Sequence, residues 1–108
     1  MKSYNVWGYY YDKRSDTKTR RVVKGYPIEI DEEQCWVCRD PRSKRNEWMV
    51  IENNTGLTLT GVSCSTMKDA EASARDRVKR FVTDHGKRLK DIVEGSGTKV
   101  IDLPEWRE

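Results

Sequence analysis

Glu47-Trp48-Met49-Val50-Ile51-Glu52, Asn53-Asn54-Thr55-Gly56 and Leu57-Thr58-Leu59-Thr60 together decide the fold. The first run is rich in apolar side chains, two of them β-branched, and the third alternates apolar with polar; both patterns suit a strand. The Asn- and Gly-containing tetrapeptide between them tolerates the positive φ that a tight reversal needs. A β-hairpin follows, with Leu57 and Leu59 on one face and Thr58 and Thr60 on the other, one face buried and one wet. Beyond Cys64 the apolar period changes from two to about 3.6. Met67, Ala70, Ala74, Val78, Phe81 and Val82 fall on one helical face. Thr66 reads as the N-cap with Asp69 as its capping-box acid, and Gly86 as the left-handed stop. Glu71 with Arg75, and Asp76 with Arg80, form i,i+4 pairs in the favourable direction.

Outward from this unit, Tyr4 to Tyr11 reads as an aromatic strand. One face carries Tyr4, Val6, Gly8 and Tyr10, the other Asn5, Trp7, Tyr9 and Tyr11. Asp12 to Thr19 is a polar connection. Arg20 to Lys24 and Tyr26 to Ile30 form a second strand, which is an edge or is interrupted at Pro27, because proline donates no ladder hydrogen bond. Asp31 to Gln34 is a turn or a short helical start, Cys35 to Cys38 a short strand, and Asp40 to Asn46 a basic loop. After Gly86, Lys87 to Glu94 forms a second short helix with Leu89, Ile92 and Val93 on its apolar side. Gly95-Ser96-Gly97 ends it, Thr98 to Leu103 is a last short strand, and 104–108 is a mobile tail in which Trp106 docks back or waits for a partner. The sum is an α+β domain over 1–108: an antiparallel sheet of four to five strands packed on one long amphipathic helix, with a short C-terminal helix.

The chain has 108 residues, 36% charged and 35% hydrophobic, so its core is small and its surface highly charged. Ten aromatics, four of them Trp, argue for a folded domain. The net charge of +3 is distributed in blocks. Residues 12–24 hold six bases and two acids, and 39–45 hold four bases and one acid, whereas 29–33 hold four acids and no base. Basic blocks attract polyanions. No run is long and apolar enough to cross a membrane, and the N-terminus has no signal-peptide core, so no membrane association is expected. An odd number of cysteines fits a reducing, cytoplasmic setting.

No catalytic or metal constellation emerges, so neither an enzyme nor a cofactor is expected. Cys35 and Cys38 have a spacing used by metal and redox sites, but an extended Trp36-Val37 sends the two thiols to opposite faces. Cys64 and His85 would sit at opposite ends of the long helix, about 27 Å apart at 1.5 Å per residue. His85, the lone histidine, suits a helix C-terminus, where a cation is favoured. The Gly95-Ser96-Gly97 run follows a helix, whereas a phosphate-cradling loop precedes one.

The functional lead is the combination of aromatics and bases. Trp7, Tyr9 and Tyr11 share one strand face beside Lys13, Arg14, Lys18, Arg20 and Arg21. Aromatics on a sheet stack nucleobases, and flanking cations hold the phosphates. Arg42, Lys44 and Arg45 in the second basic block, and Lys68, Arg75 and Lys79 along one flank of the long helix, extend the candidate surface. The opposing explanation is an ordinary aromatic core and a solvated basic surface. Thr66-Met67-Lys68-Asp69-Ala70 with Ala74, placed after a hairpin, resembles the start of the last helix of double-stranded-RNA-binding domains. The same stretch is similar to the arm-type DNA-binding domains of phage and transposon integrases, in which a three-stranded sheet packs on one helix. Both resemblances imply a DNA or RNA partner. The expected function is therefore non-catalytic binding of nucleic acid; the alternative is a protein–protein adaptor or homo-oligomer, using the aromatic strand or the edge near Pro27.

Overall fold

The computed structural model describes residues 2–12, 17–41, 43–53, 56 and 58–95. Four strands come first: β1 (Tyr4–Asp12), β2 (Thr17–Ile30), β3 (Glu33–Arg39) and β4 (Trp48–Glu52). They form an antiparallel sheet in the order β1-β2-β3-β4. Two helices follow, α1 (Met67–His85) and α2 (Leu89–Gly95). This is the α+β architecture expected. Among the described residues no helix precedes β1. The last strand expected at Thr98 to Leu103 and the tail with Trp106 lie outside the described residues.

The turn between β2 and β3 is the tight two-residue kind. Asp31 and Glu32 both take positive φ, 50° and 67°, as a hairpin turn matching the sheet twist requires. Neither is glycine, so the conformation needs outside support. Asp31 receives it: its carboxylate accepts from Nε of Arg88 at 2.9 and 3.0 Å and from the backbone N–H of Leu89 at 2.7 Å. Those bonds hold the Asp31 carboxyl below its usual range, the Arg88 bond being the larger cause. They also tie the start of α2 to the turn, where Leu89 is buried.

The hairpin expected from Glu47 to Thr60 is half regular. β4 forms as read, and Gly56 takes φ 73°. Its second arm is not a continuous strand. The chain returns along the outer edge of β4 through isolated bridges at Ile51 with Thr58 and Trp48 with Cys64; Leu57 lies outside the described residues. Leu59 packs into the core as expected, but Thr60 is 5% exposed rather than wet. The irregular path breaks the two-residue alternation, which holds only while a strand stays extended. The Thr60 hydroxyl has no hydrogen-bond partner. A buried unsatisfied hydroxyl costs about 1–3 kcal/mol. Thr60→Val keeps the shape and removes that cost, so it should stabilise the fold by about 1 kcal/mol, read as a higher urea midpoint at unchanged slope.

α1 begins and ends as its sequence predicts. Thr66 is extended, at φ −128° and ψ 157°, and its hydroxyl accepts from the N–H of Asp69; Gly86 is left-handed, and its N–H donates to the Val82 carbonyl. Both i,i+4 ion pairs form, Glu71 with Arg75 and Asp76 with Arg80. Ala70, Ala74 and Val78 are buried against Ile30, Cys35, Val37 and Val50 of the sheet, with Met67 and Val82 alongside. The alanines let the helix axis approach the sheet closely. Phe81 departs from expectation: it is 42% exposed and pairs with His85, ring centroids 4.3 Å apart. At 100° per residue it lies within the stripe, between Ala70 and Ala74, but it comes after Val78, the last buried residue of α1, where the sheet no longer covers the helix.

A second core lies on the opposite face of the sheet. Val6, Trp36, Cys38, Met49 and Ile51 are buried there, with Tyr4 and Val23 packed against them. The Trp36 ring sits 5.6 Å from that of Tyr4, and its indole N–H donates to Asn53. β1 is therefore brought over β3 and β4. The hinge of this curl is Gly25, the last residue of β2 paired with β1 (opposite Tyr4) and the first paired with β3 (opposite Cys38).

Candidate nucleic-acid interface

The curl at Gly25 divides β2 into two parts with different surroundings. From Gly25 to Ile30 it pairs with β3 and lies under or beside α1. From Thr17 to Lys24 it pairs, among the described residues, only with β1, as a hairpin running out past the helix, which packs on β3 and β4. One face of that hairpin turns inward. Val6 and Gly8 are buried and Val23 is half-buried. The other face turns outward. Asn5 and Lys24 are exposed, and Val22 is 50% exposed.

The register specifies what that outward face carries. Asn5 pairs with Lys24, Trp7 with Val22, Tyr9 with Arg20 and Tyr11 with Lys18. These eight residues alternate with the buried ones, so they occupy same-face positions. Two of the three aromatic positions are directly opposite a basic one. Positions 7, 9, 11, 18 and 20 thus fall on one face in the backbone register. Arg21 does not join them: it pairs with Gly8, at a position on the other face. Lys13, Arg14 and Arg42 lie outside the described residues.

Four residues missed in the sequence continue this face toward the helix. Lys24 is the next same-face position after Val22, and Tyr26 the one after that. Tyr26 lies 6.1 Å from Trp48, and the Arg39 guanidinium sits over the Trp48 ring at 3.9 Å. A guanidinium stacked on indole is a cation–π contact, and it leaves the cation exposed. Arg39 and Trp48 are partners in the β3–β4 register. The signal was their place at either end of the Asp40–Glu47 loop, but the pairing depends on how that loop closes.

The other candidates are dispersed. Lys44 and Arg45 are exposed in the β3–β4 loop, which is fastened by Asp40 and Ser43. The Asp40 N–H donates to the Glu47 carbonyl at 2.8 Å, the Ser43 hydroxyl donates to the Glu47 carboxylate at 2.9 Å, and Ser63 donates to the Asp40 carboxylate. The cleft bordered by these groups holds the carboxylates of Asp40 and Glu47, which oppose a phosphate. On α1, Arg75 is committed to structure: it donates to the Glu29 carbonyl at 2.8 Å and pairs with Glu71. Lys68 and Lys79 are exposed at opposite ends of that flank.

The cysteines sit as an extended Trp36-Val37 requires, with Cys35 in the helix-side core and Cys38 in the opposite one. Burial pushes both thiols up to about 12, which disfavours the thiolate that a nucleophile needs. Among the described residues no cluster of His, Cys, Asp and Glu could hold a metal, and no helix is long and apolar enough to cross a membrane. Comparison with protein-family models, curated proteins and solved structures finds no match.

Proposed function

We propose that this is a non-catalytic nucleic-acid-binding protein that takes single strands on the outward face of the β1–β2 hairpin. The observation that carries the reading is the register: Tyr9 opposite Arg20 and Tyr11 opposite Lys18, on a face where Val22 and Lys24 are exposed. Unstacked bases fit flat aromatic groups, and cations one strand away meet the phosphates. A duplex keeps its bases stacked inside, so such a face favours single strands. Cytoplasmic residence belongs to the same proposal, supported by three free cysteines.

Fluorescence anisotropy with labelled single-stranded and duplex octamers tests it. Single strands should bind more tightly than duplexes. With about four phosphates neutralised, the log–log salt slope should be near −3, at about −0.7 per contact. No binding of any single strand at low salt would sink the proposal.

The alternative, a protein adaptor or homo-oligomer joined through the strand edge near Pro27, is less well supported. Among the described residues no strand pairs with that edge, since β1 pairs no further than Gly25. However, Pro27 has no N–H, and Arg75 already occupies the Glu29 carbonyl, both features that discourage strand addition.

A further inference from the structure

Where the outward face meets α1, it ends in a groove of about 390 Å³. Tyr26, Pro27, Ile28, Val37 and Met67 form its apolar walls, and Lys68 and Glu71 stand at its rim. The volume is at the low end for small-ligand sites, enough for one compact group. We propose that this groove takes a single unstacked nucleobase from the bound strand, with the adjoining phosphate on Lys68. The inference rests on the single-strand reading above and deepens it.

Three features choose this occupant. First, the groove is continuous with the stacking face, since Tyr26 is both a wall of the groove and the next same-face position after Lys24. Second, the rim carries one charge of each sign. Lys68 suits a phosphate. Glu71, whose Oε1 takes the Arg75 bond, suits the amino group of a base such as cytosine. A nucleotide offers both complements within one small group. Third, the strand edge beside the groove offers few backbone partners, because Pro27 lacks an N–H and the Glu29 carbonyl is taken. An extended peptide would depend on those partners; a base does not.

The test is a titration of the ¹⁵N-labelled chain with cytidine 5′-monophosphate and with a cytidine octamer at low salt. The mononucleotide should move the amide signals of Ile28, Val37, Met67 and Lys68. Lys68→Glu should weaken octamer binding about tenfold. Compared at about 0.15 M salt, where charges are screened beyond about 8 Å, Lys79→Glu, on the same flank but about 16 Å further along the helix at 1.5 Å per residue, should change it less than about twofold. Both lysines are exposed, so the variants should melt like the parent. If the octamer binds but moves only hairpin signals, and the two lysine variants behave alike, the base pocket is overturned while the sheet-face reading stands. If inorganic phosphate alone reproduces the shifts, the base assignment is overturned. If the octamer does not bind, both readings fall.

Discussion

Replacing Tyr9 and Tyr11 together by alanine should lower affinity for a single-stranded octamer by about 2–6 kcal/mol, at about 1–3 kcal/mol for each stacked base. That is at least thirtyfold, and enough at the upper end to abolish measurable binding. The expectation follows from where the backbone carries these positions. Tyr9 pairs with Arg20 and Tyr11 with Lys18, on the face where Lys24 and Val22 are exposed. Tyr10 pairs with Thr19, at an opposite-face position with Val6 and Gly8. Tyr10→Ala should therefore leave affinity per folded molecule unchanged to within about twofold. The pattern of loss at 9, none at 10 and loss at 11 is a period-two signature that nonspecific charge attraction cannot produce, because attraction depends on net charge rather than on which face a ring occupies. Equal losses at all three positions, or none at any, would refute stacking on this face. Arg20→Glu should act differently, reducing both affinity and the steepness of its salt dependence.

Much of this site was legible from alternation alone. A strand that carries aromatics at 7, 9 and 11 must put them on one face, and that needs no partner strand. The basic partners were legible as a block but not as a face. Arg20 and Arg21 are adjacent in sequence and so fall on opposite sides, and only the pairing of Gly8 with Arg21 decides which one joins the aromatics. Lys24, Tyr26, Arg39 and Trp48 escaped notice because each belongs to a different local pattern. Their convergence depends on the β2–β3 and β3–β4 registers, which are long-range facts. The helix was read closely because its caps, stripe and ion pairs are all local, and Phe81 was misplaced because how far along the helix the buried seam runs, here to Val78, is set by the sheet. The second arm of the central hairpin failed for a similar reason. Alternation in Leu57 to Thr60 is compatible with a strand, but the edge of β4 is met through isolated bridges. The second core was not foreseen at all. It arises from a curl, and no local pattern around a single glycine announces one.

Gly25→Ala should be strongly damaging for a one-carbon change, costing about 3 kcal/mol, the upper end for overpacking. Gly25 needs to be glycine for space rather than for a left-handed φ. A Cβ there would stand 2.8 Å from Cβ of Trp36 and 3.0 Å from Cγ2 of Val6. The two contacts differ in kind. Val6 can be shortened, whereas Cβ of Trp36 is fixed to the β3 backbone and cannot swing aside. Val6→Ala in the Gly25→Ala background should therefore recover only part of the loss, less than about 1 kcal/mol net, because it also empties buried volume. The fold has only about 5–15 kcal/mol to lose, so Gly25→Val, with two further methyls, should unfold it at ambient temperature. The functional consequence follows from the same geometry. The close approach at Gly25 lets β1 curl over Trp36, Met49 and Ile51, and that curl carries the outward face of the hairpin clear of α1. A Gly25→Ala chain that still folds must relax by opening the curl. Its signature would be a change in tryptophan fluorescence around Trp36 and weakened octamer binding per folded molecule, with Tyr9 and Tyr11 intact. If Gly25→Ala melts within about 1 °C of the parent, less than a 1 kcal/mol change would produce, the close packing at the curl is not what holds β1 in place.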